Sequence, residues 1–225
     1  MNNREIEAKF YVLDLKRIET RLQSLGARLI QPRILETNIR FDLPNNRFHS
    51  EGRVLRLRQD TAARLTYKDS GNNEQGVLNR TEIEFTVESF EKAKLFLEAL
   101  GYQKLLEYEK YRTTYVLESG SLLSAVHEQA HGLQSYHIML DELPYGNFVE
   151  IEGEDIQAIQ DIAEKLKLDR DAAIPYGYSA LFEIVRETLK LPFTDLTFAN
   201  FEGITVSPEH LQVRPADESA GQKHD

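Results

Sequence analysis

The chain has 225 residues, of which 41% are hydrophobic and 28% charged, with a formal net charge of −10 and no cysteine. That length allows one large domain or two small ones around a substantial core, and the missing cysteines exclude disulfides and thiolate metal sites. The acidic balance argues against a broad nucleic-acid or anionic-membrane surface, no run of roughly 18 apolar residues predicts a membrane span, and the start Met1-Asn2-Asn3-Arg4-Glu5 lacks a signal-peptide core, which makes the cytoplasm the default location.

Arg4 to Val12 sets Glu5, Glu7 and Lys9 against Ile6, Ala8 and Phe10, the period-two pattern of a strand. Asp14 is placed to cap a helix whose stripe is Leu15, Ile18, Leu22 and Leu25, ended by Gly26. Leu35 to Asp42 reads as a second strand, followed by a turn at Pro44, Asn45 and Asn46. Arg53 to Gln59 alternates Val54, Arg56 and Arg58 with Leu55 and Leu57, and should form a hairpin with Arg64 to Lys68. Asp69 to Gly76 has the composition of a mobile loop.

The pattern then restarts. Arg80 to Val87 is strand-like, and Ser89 caps a predicted helix with Phe90, Ala93, Leu97 and Leu100 on one face, closed by Gly101. Glu107 to Glu118 reads as a strand, Ser119 to Ser135 as an insertion, and Tyr136 to Asp141 and Asn147 to Gly153 as two strands joined around Pro144 and Gly146. Helices are predicted over Asp155 to Leu168 and from about Tyr178 to Lys190. A short apolar piece follows (Phe193, Leu196, Phe198, Phe201), and Ser207 to Asp225 reads as a polar, mobile tail.

Glu-Ile-Glu occurs at Glu5-Ile6-Glu7, Glu82-Ile83-Glu84 and Glu150-Ile151-Glu152. On a strand both carboxylates of each copy share a face, where they repel each other and make poor core residues. Read with period two, the same faces also carry Lys9, Arg56, Arg58, Lys68, Arg80, Lys110, Arg112 and Asp141, so seven bases accompany seven acids. The opposite faces carry Ile6, Ala8, Leu55, Leu57, Tyr67, Ile83, Phe85, Tyr111, Leu140, Val149 and Ile151, suited to packing under helices. For any one strand, the plain reading is a solvated face with weak cross-strand ion pairs. Across all strands the set points instead to closure: an α+β fold with an antiparallel barrel of about eight strands, charged inside, with helices packed outside. Arginines and lysines on several walls suit polyphosphate oxygens, and clustered carboxylates suit hard divalent cations. Both together point to metal-assisted phosphoryl chemistry. His127, His131 and His137 offer too few ligands for a zinc site, though His137 is in phase with Asp141.

Glu5-x-Glu7-x-Lys9 is similar to the Glu-x-Glu-x-Lys signature of the CYTH superfamily, the triphosphate tunnel metalloenzymes. The ordered series that follows also resembles that family: Asn38 to Asp42, Leu55-Arg56-Leu57-Arg58, Thr66-Tyr67-Lys68, Arg80-x-Glu82-x-Glu84, Lys110-x-Arg112, Leu140-Asp141 and Phe148 to Glu152. The resemblance spans roughly residues 1–188 and leaves 189–225 as a C-terminal extension. It implies an eight-stranded tunnel in which Lys9, Arg56, Arg58, Lys68, Arg80, Lys110 and Arg112 contact phosphate oxygens, while Glu5, Glu7, Glu82, Glu84, Asp141, Glu150 and Glu152 hold Mg²⁺ or Mn²⁺ directly or through water. The implied activity is a divalent-metal-dependent triphosphatase acting on an inorganic or organic triphosphate, with Lys9 and Lys68 as catalytic candidates. A class IV adenylate cyclase and a non-catalytic triphosphate sensor are the alternatives. The expected partner is a triphosphate-containing small molecule, with a homodimer possible and no membrane; the −10 charge disfavours nucleic acid.

Overall fold

The computed structural model describes residues 4–118 and 135–218. The strands are β1 (Arg4–Val12), β2 (Arg28–Asp42), β3 (Val54–Gln59), β4 (Ala63–Lys68), β5 (Asn72–Glu74), β6 (Val77–Val87), β7 (Gln103–Glu118), β8 (Ser135–Leu143) and β9 (Gly146–Glu152). The helices are α1 (Leu15–Ser24), α2 (Arg47–Ser50), α3 (Phe90–Ala99), α4 (Ile156–Lys165), α5 (Tyr178–Leu189) and α6 (Pro208–Leu211). The strand order β1-β9-β8-β7-β2-β3-β4-β6 is antiparallel throughout and closes through β6 onto β1, where Glu5 faces Arg80 across the seam. β5 is a ninth strand appended to β6 outside the closed ring. Closure satisfies both edges of the sheet and forces alternate residues of every strand to one interior.

Three apolar clusters hold the outside of the barrel. The stripes of α1 (Ile18, Leu22) and α4 (Ile159, Ile162, Ala163) bury Ile6, Ala8, Val149 and Ile151. α5 brings Leu181, Phe182 and Val185 against Tyr145, Phe148 and Tyr108. Leu97 of α3 covers Ile39, Leu55 and Leu57. Asp14, Ser89 and Asp155 each cap a helix by accepting from a backbone N–H of its first turn.

The structure departs from the sequence reading at the periphery. β2 begins at Arg28, seven residues before the predicted Leu35, because Pro32 and register shifts against β7 break the alternation that marks a strand. Within the stretch read as a mobile loop, Asn72–Glu74 pairs with β6. Ile83 and Phe85, expected under helices, are 45% and 53% exposed. α3 lies over β3 and β4, so among the described residues Ile83 and Phe85 of β6 are left uncovered, and Leu100 is exposed with them.

The C-terminal part is docked as far as it is described. Leu196, Phe201 and Leu211 join the α5 cluster, and Leu196 exchanges backbone hydrogen bonds with Glu107 and Glu109 of β7. Asp217, expected in a mobile tail, is buried; its carboxylate accepts from the N–H groups of Leu13 and Asp14 and pairs with Arg17 at 2.7 Å. The insertion at 119–134, with His127 and His131, lies outside the described residues, as does 219–225. No helix among the described residues is long and apolar enough to cross a membrane.

Candidate active site

The barrel encloses a cavity of about 630 Å³. Every charged residue singled out from the sequence lines it except Asp141, which sits directly behind the wall, fully buried and bonded to two of the lining bases. His137 also lines the cavity, as its phase predicts. The structure adds charged residues the sequence reading passed over: Glu36 and Arg40 on β2, Asp60, and Arg64 on β4. With Asp141 included, the walls hold nine bases and nine acids. Walls so balanced take up a polyanion favourably only if cations accompany it, which is the electrostatic requirement of a metal–polyphosphate complex.

The charges fall into three groups. On the β7–β8–β9–β1 wall, Asp141 accepts from Lys110 Nζ at 2.9 Å, from Arg112 Nε at 2.7 Å and from the Tyr178 hydroxyl at 2.7 Å. Glu150 is clasped by Lys9 and Arg112. Burial opposes charge on Lys9, but Glu150 and Glu7 outweigh it and raise its pKa, so the ammonium stays protonated. Glu150 is correspondingly held well below the usual carboxylate range against its burial, by Lys9 and Arg112.

On the β3–β4–β6 wall, Arg58 meets Glu84 at 3.0 Å and Glu36 at 3.6 Å, and Thr66 donates to Glu84 at 2.8 Å. Arg64 pairs with Asp60. Burial alone would raise Glu36; Lys110, Arg112 and Arg58 outweigh it and hold its pKa down to about 2. A carboxyl with a folded-state pKa below its unfolded value contributes stability that is fully present above the unfolded value, 4.5, and lost as pH falls towards 2. Glu36→Gln is therefore expected to cost about 2–3 kcal/mol at pH 7 and to flatten the loss of stability between roughly pH 5 and pH 2. Urea titrations at pH 7 and pH 3 check this; an equal deficit at both would contradict it.

The third group lies at the β1–β6 seam, and there the acids are in surplus. Glu5 binds Lys68 and accepts from Arg80 Nε at 2.7 Å; Glu7 meets Arg80 at 3.2 Å and Glu82 meets Lys68 at 3.3 Å. Glu152 forms no ion pair among the described residues. Burial, with Glu5 and Glu7 beside it, pushes its pKa up to about 7. Glu82 is raised too, by burial and by Glu5 against the pull of Lys68. In the conformation seen, the acids turn towards the bases, and no three of the described carboxylates or imidazoles converge into a ready chelate. The donor set nevertheless fits a hard divalent cation: all oxygen, concentrated, and short of positive charge. The complementary shortage is on the basic side, where the buried Nε atoms of Arg40, Arg56 and Arg58 have no hydrogen-bond partner among the described residues.

Glu36, Arg40 and Tyr108 were legible in principle, being in phase with Asn38 and with Lys110. Tyr178 and Ser179 enter from the first turn of α5, and no strand periodicity announces them.

Comparison with known proteins agrees with this architecture. The fold matches a candidate adenylate cyclase from Vibrio parahaemolyticus (16% identity over 81% of this chain and 99% of that one, TM-score 0.64). It matches a protein from Pyrococcus horikoshii OT3 (24% identity, 80% and 98% coverage, TM-score 0.60). It also matches a candidate adenylyl cyclase from Hippeastrum whose structure is described as revealing a dominant triphosphatase activity (15% identity, 93% and 100% coverage, TM-score 0.52). No curated protein matches the sequence. The family model of the CYTH domain matches residues 3–177, and the chain belongs to the CYTH domain family.

Proposed function

We propose that the tunnel binds a triphosphate together with Mg²⁺ or Mn²⁺ and hydrolyses its terminal phosphoanhydride. The observation that carries this reading is the pairing of two unmet needs inside one cavity: arginine Nε–H groups without acceptors and, facing them, carboxylates without enough cations. A buried polar group without a partner costs roughly 1–3 kcal/mol, so both needs favour a ligand that brings phosphate oxygens and metal at once. The dominant triphosphatase activity ascribed to the Hippeastrum protein supports the choice of hydrolysis.

Within this reading the residues divide their work. Arg56, Arg58, Lys68, Arg80, Lys110 and Arg112, with Lys9, hold phosphate oxygens. Glu7, Glu82 and Glu152, with Glu5, would hold the metal, because Glu150 and Asp141 are already saturated by bases. When bound, the metal neutralises phosphate charge and assists a water nucleophile. The water oxygen bonds to the terminal phosphorus and the bridging P–O bond breaks; the water proton passes to the departing phosphate oxygens or to solvent, and orthophosphate and a diphosphate are the products. Suitable substrates are inorganic tripolyphosphate, thiamine triphosphate and nucleoside triphosphates. Orthophosphate release from these, assayed after EDTA treatment, is expected to fall at least about a hundredfold and to return with Mg²⁺ or Mn²⁺. Activity surviving chelation would remove the metal from the account, and binding without turnover by the metal-loaded protein would make it a sensor.

A further inference from the structure

Among the described residues, Arg40 is the lining base without an ion pair; Glu183 and Asp42 favour its charge from a distance. It is 9% exposed. Its Nη1 donates to the Ser179 hydroxyl, its Nη2 to the Arg53 carbonyl at 3.2 Å, and its Nε to nothing. Directly across the β2–β3 ladder stands Arg56, itself with an orphaned Nε and only a 3.6 Å approach to Glu84. Two like charges facing each other across a ladder are destabilising, and burial drives the Arg40 pKa down. Its neighbours Tyr108, Glu183 and Asp42 offset only part of the burial, which lowers its pKa on balance.

The same corner receives the first turn of α5. Tyr178 bonds to Asp141 on β8 and Ser179 to Arg40 on β2, so that turn bridges the two strands across β7. The N-cap is Gly177, which offers no side chain to the first N–H groups, and open space lies beside it. A twelve-residue helix presents partial positive charge at such an end.

We propose that Arg40, Arg56 and the amino end of α5 form a subsite for the terminal phosphoryl group of the substrate. This rests on the reading of the cavity as a triphosphate site and adds an orientation to it. The dianionic chain end lies under α5, and any organic group points away from that helix. Triphosphates with at least one free end fit; one capped by nucleosides at both ends has no dianionic terminus to offer this subsite.

The test is the affinity for imidotriphosphate, a hydrolysis-resistant analogue of tripolyphosphate, by titration calorimetry in Mg²⁺, comparing the parent with Arg40→Met. The variant is expected to bind about tenfold to a hundredfold more weakly, the loss of a charge-assisted contact. It should melt no lower than the parent without ligand, since it removes a buried charge that its neighbours only partly offset. Arg40→Lys, which keeps the charge but not the planar fork, should fall between the two, and decides the matter by the same ratio if Arg40→Met does not fold. Unchanged affinity in the variant beside normal binding by the parent overturns the subsite alone. Failure of the parent to bind imidotriphosphate in Mg²⁺ overturns the cavity reading and the subsite with it. Diadenosine triphosphate competing as well as ATP would overturn the orientation.

Discussion

Lys68→Ala is expected to lower kcat/KM for triphosphate hydrolysis by about 10²–10³-fold while leaving the barrel folded. Lys68 stands where the basic wall meets the acid surplus: its ammonium bonds to Glu5, lies 3.3 Å from Glu82, and is buried in the cavity lining. A phosphate oxygen placed there would be held by Lys68 on one side and by the carboxylate-bound cation on the other, so the contact strengthens as charge builds on the transferring group. Truncation should not unfold the protein, because Glu5 keeps Arg80 as a partner. Steady-state kinetics and circular dichroism on the purified variant check both halves; full activity in a folded variant would exclude Lys68 from the site. Lys9, the other lysine singled out, is pinned by Glu150, with its ammonium 4.3 Å from the centre of the Tyr178 ring. Burial opposes its charge, and Glu150 and Glu7 outweigh that and favour the ammonium.

Asp141→Asn is expected to have the largest effect on stability, about 3–5 kcal/mol, since removing one partner of a buried ionic cluster leaves the others uncompensated. Asp141 has no exposed surface and accepts from Lys110, Arg112 and Tyr178. The asparagine keeps the volume but withdraws the charge that balances Lys110 and Arg112. The melting temperature should fall by roughly 10 °C, and tripolyphosphate should restore part of the loss by supplying anionic oxygens to the same bases. Thermal denaturation with and without ligand measures this. A variant as stable as the parent would mean that Glu150 and Glu36 already suffice as counter-ions. The sequence reading groups Asp141 with the metal-holding acids; its full complement of donors argues for a place holding the phosphate-binding bases in position.

The central fold was legible because it rests on a two-residue period. Once Glu5, Arg56, Lys68, Glu82 and Glu150 are read as one face, closure is the arrangement that shelters them, and the β3–β4 hairpin follows from the short link between Gln59 and Ala63. The early part of β2 was hidden because Pro32 and the irregular pairing around it disrupt the period. Exposure of Ile83 and Phe85 depends on where α3 comes to rest, and local pattern does not encode that. The docking of residues 207–218 depends on single contacts, such as Asp217 on the N–H groups before α1, within a stretch whose composition reads as solvated. At the site, most of the charged residues followed from strand phase, whereas Glu36, Arg40, Asp60 and Arg64 were passed over. Ser179 did not follow from it, and Tyr178 reads from the sequence as a packing residue at the start of the last helix, because both are delivered by tertiary packing of a helix end.

The measurement that bears most directly on the central claim is ³¹P NMR of the purified protein with ATP, and separately with tripolyphosphate, in the presence of Mg²⁺ and then Mn²⁺. Hydrolysis of a terminal phosphoanhydride predicts orthophosphate as a product from both, with ADP from ATP and pyrophosphate from tripolyphosphate. Cyclic AMP and pyrophosphate from ATP, without orthophosphate, would contradict it and make the same tunnel a cyclase.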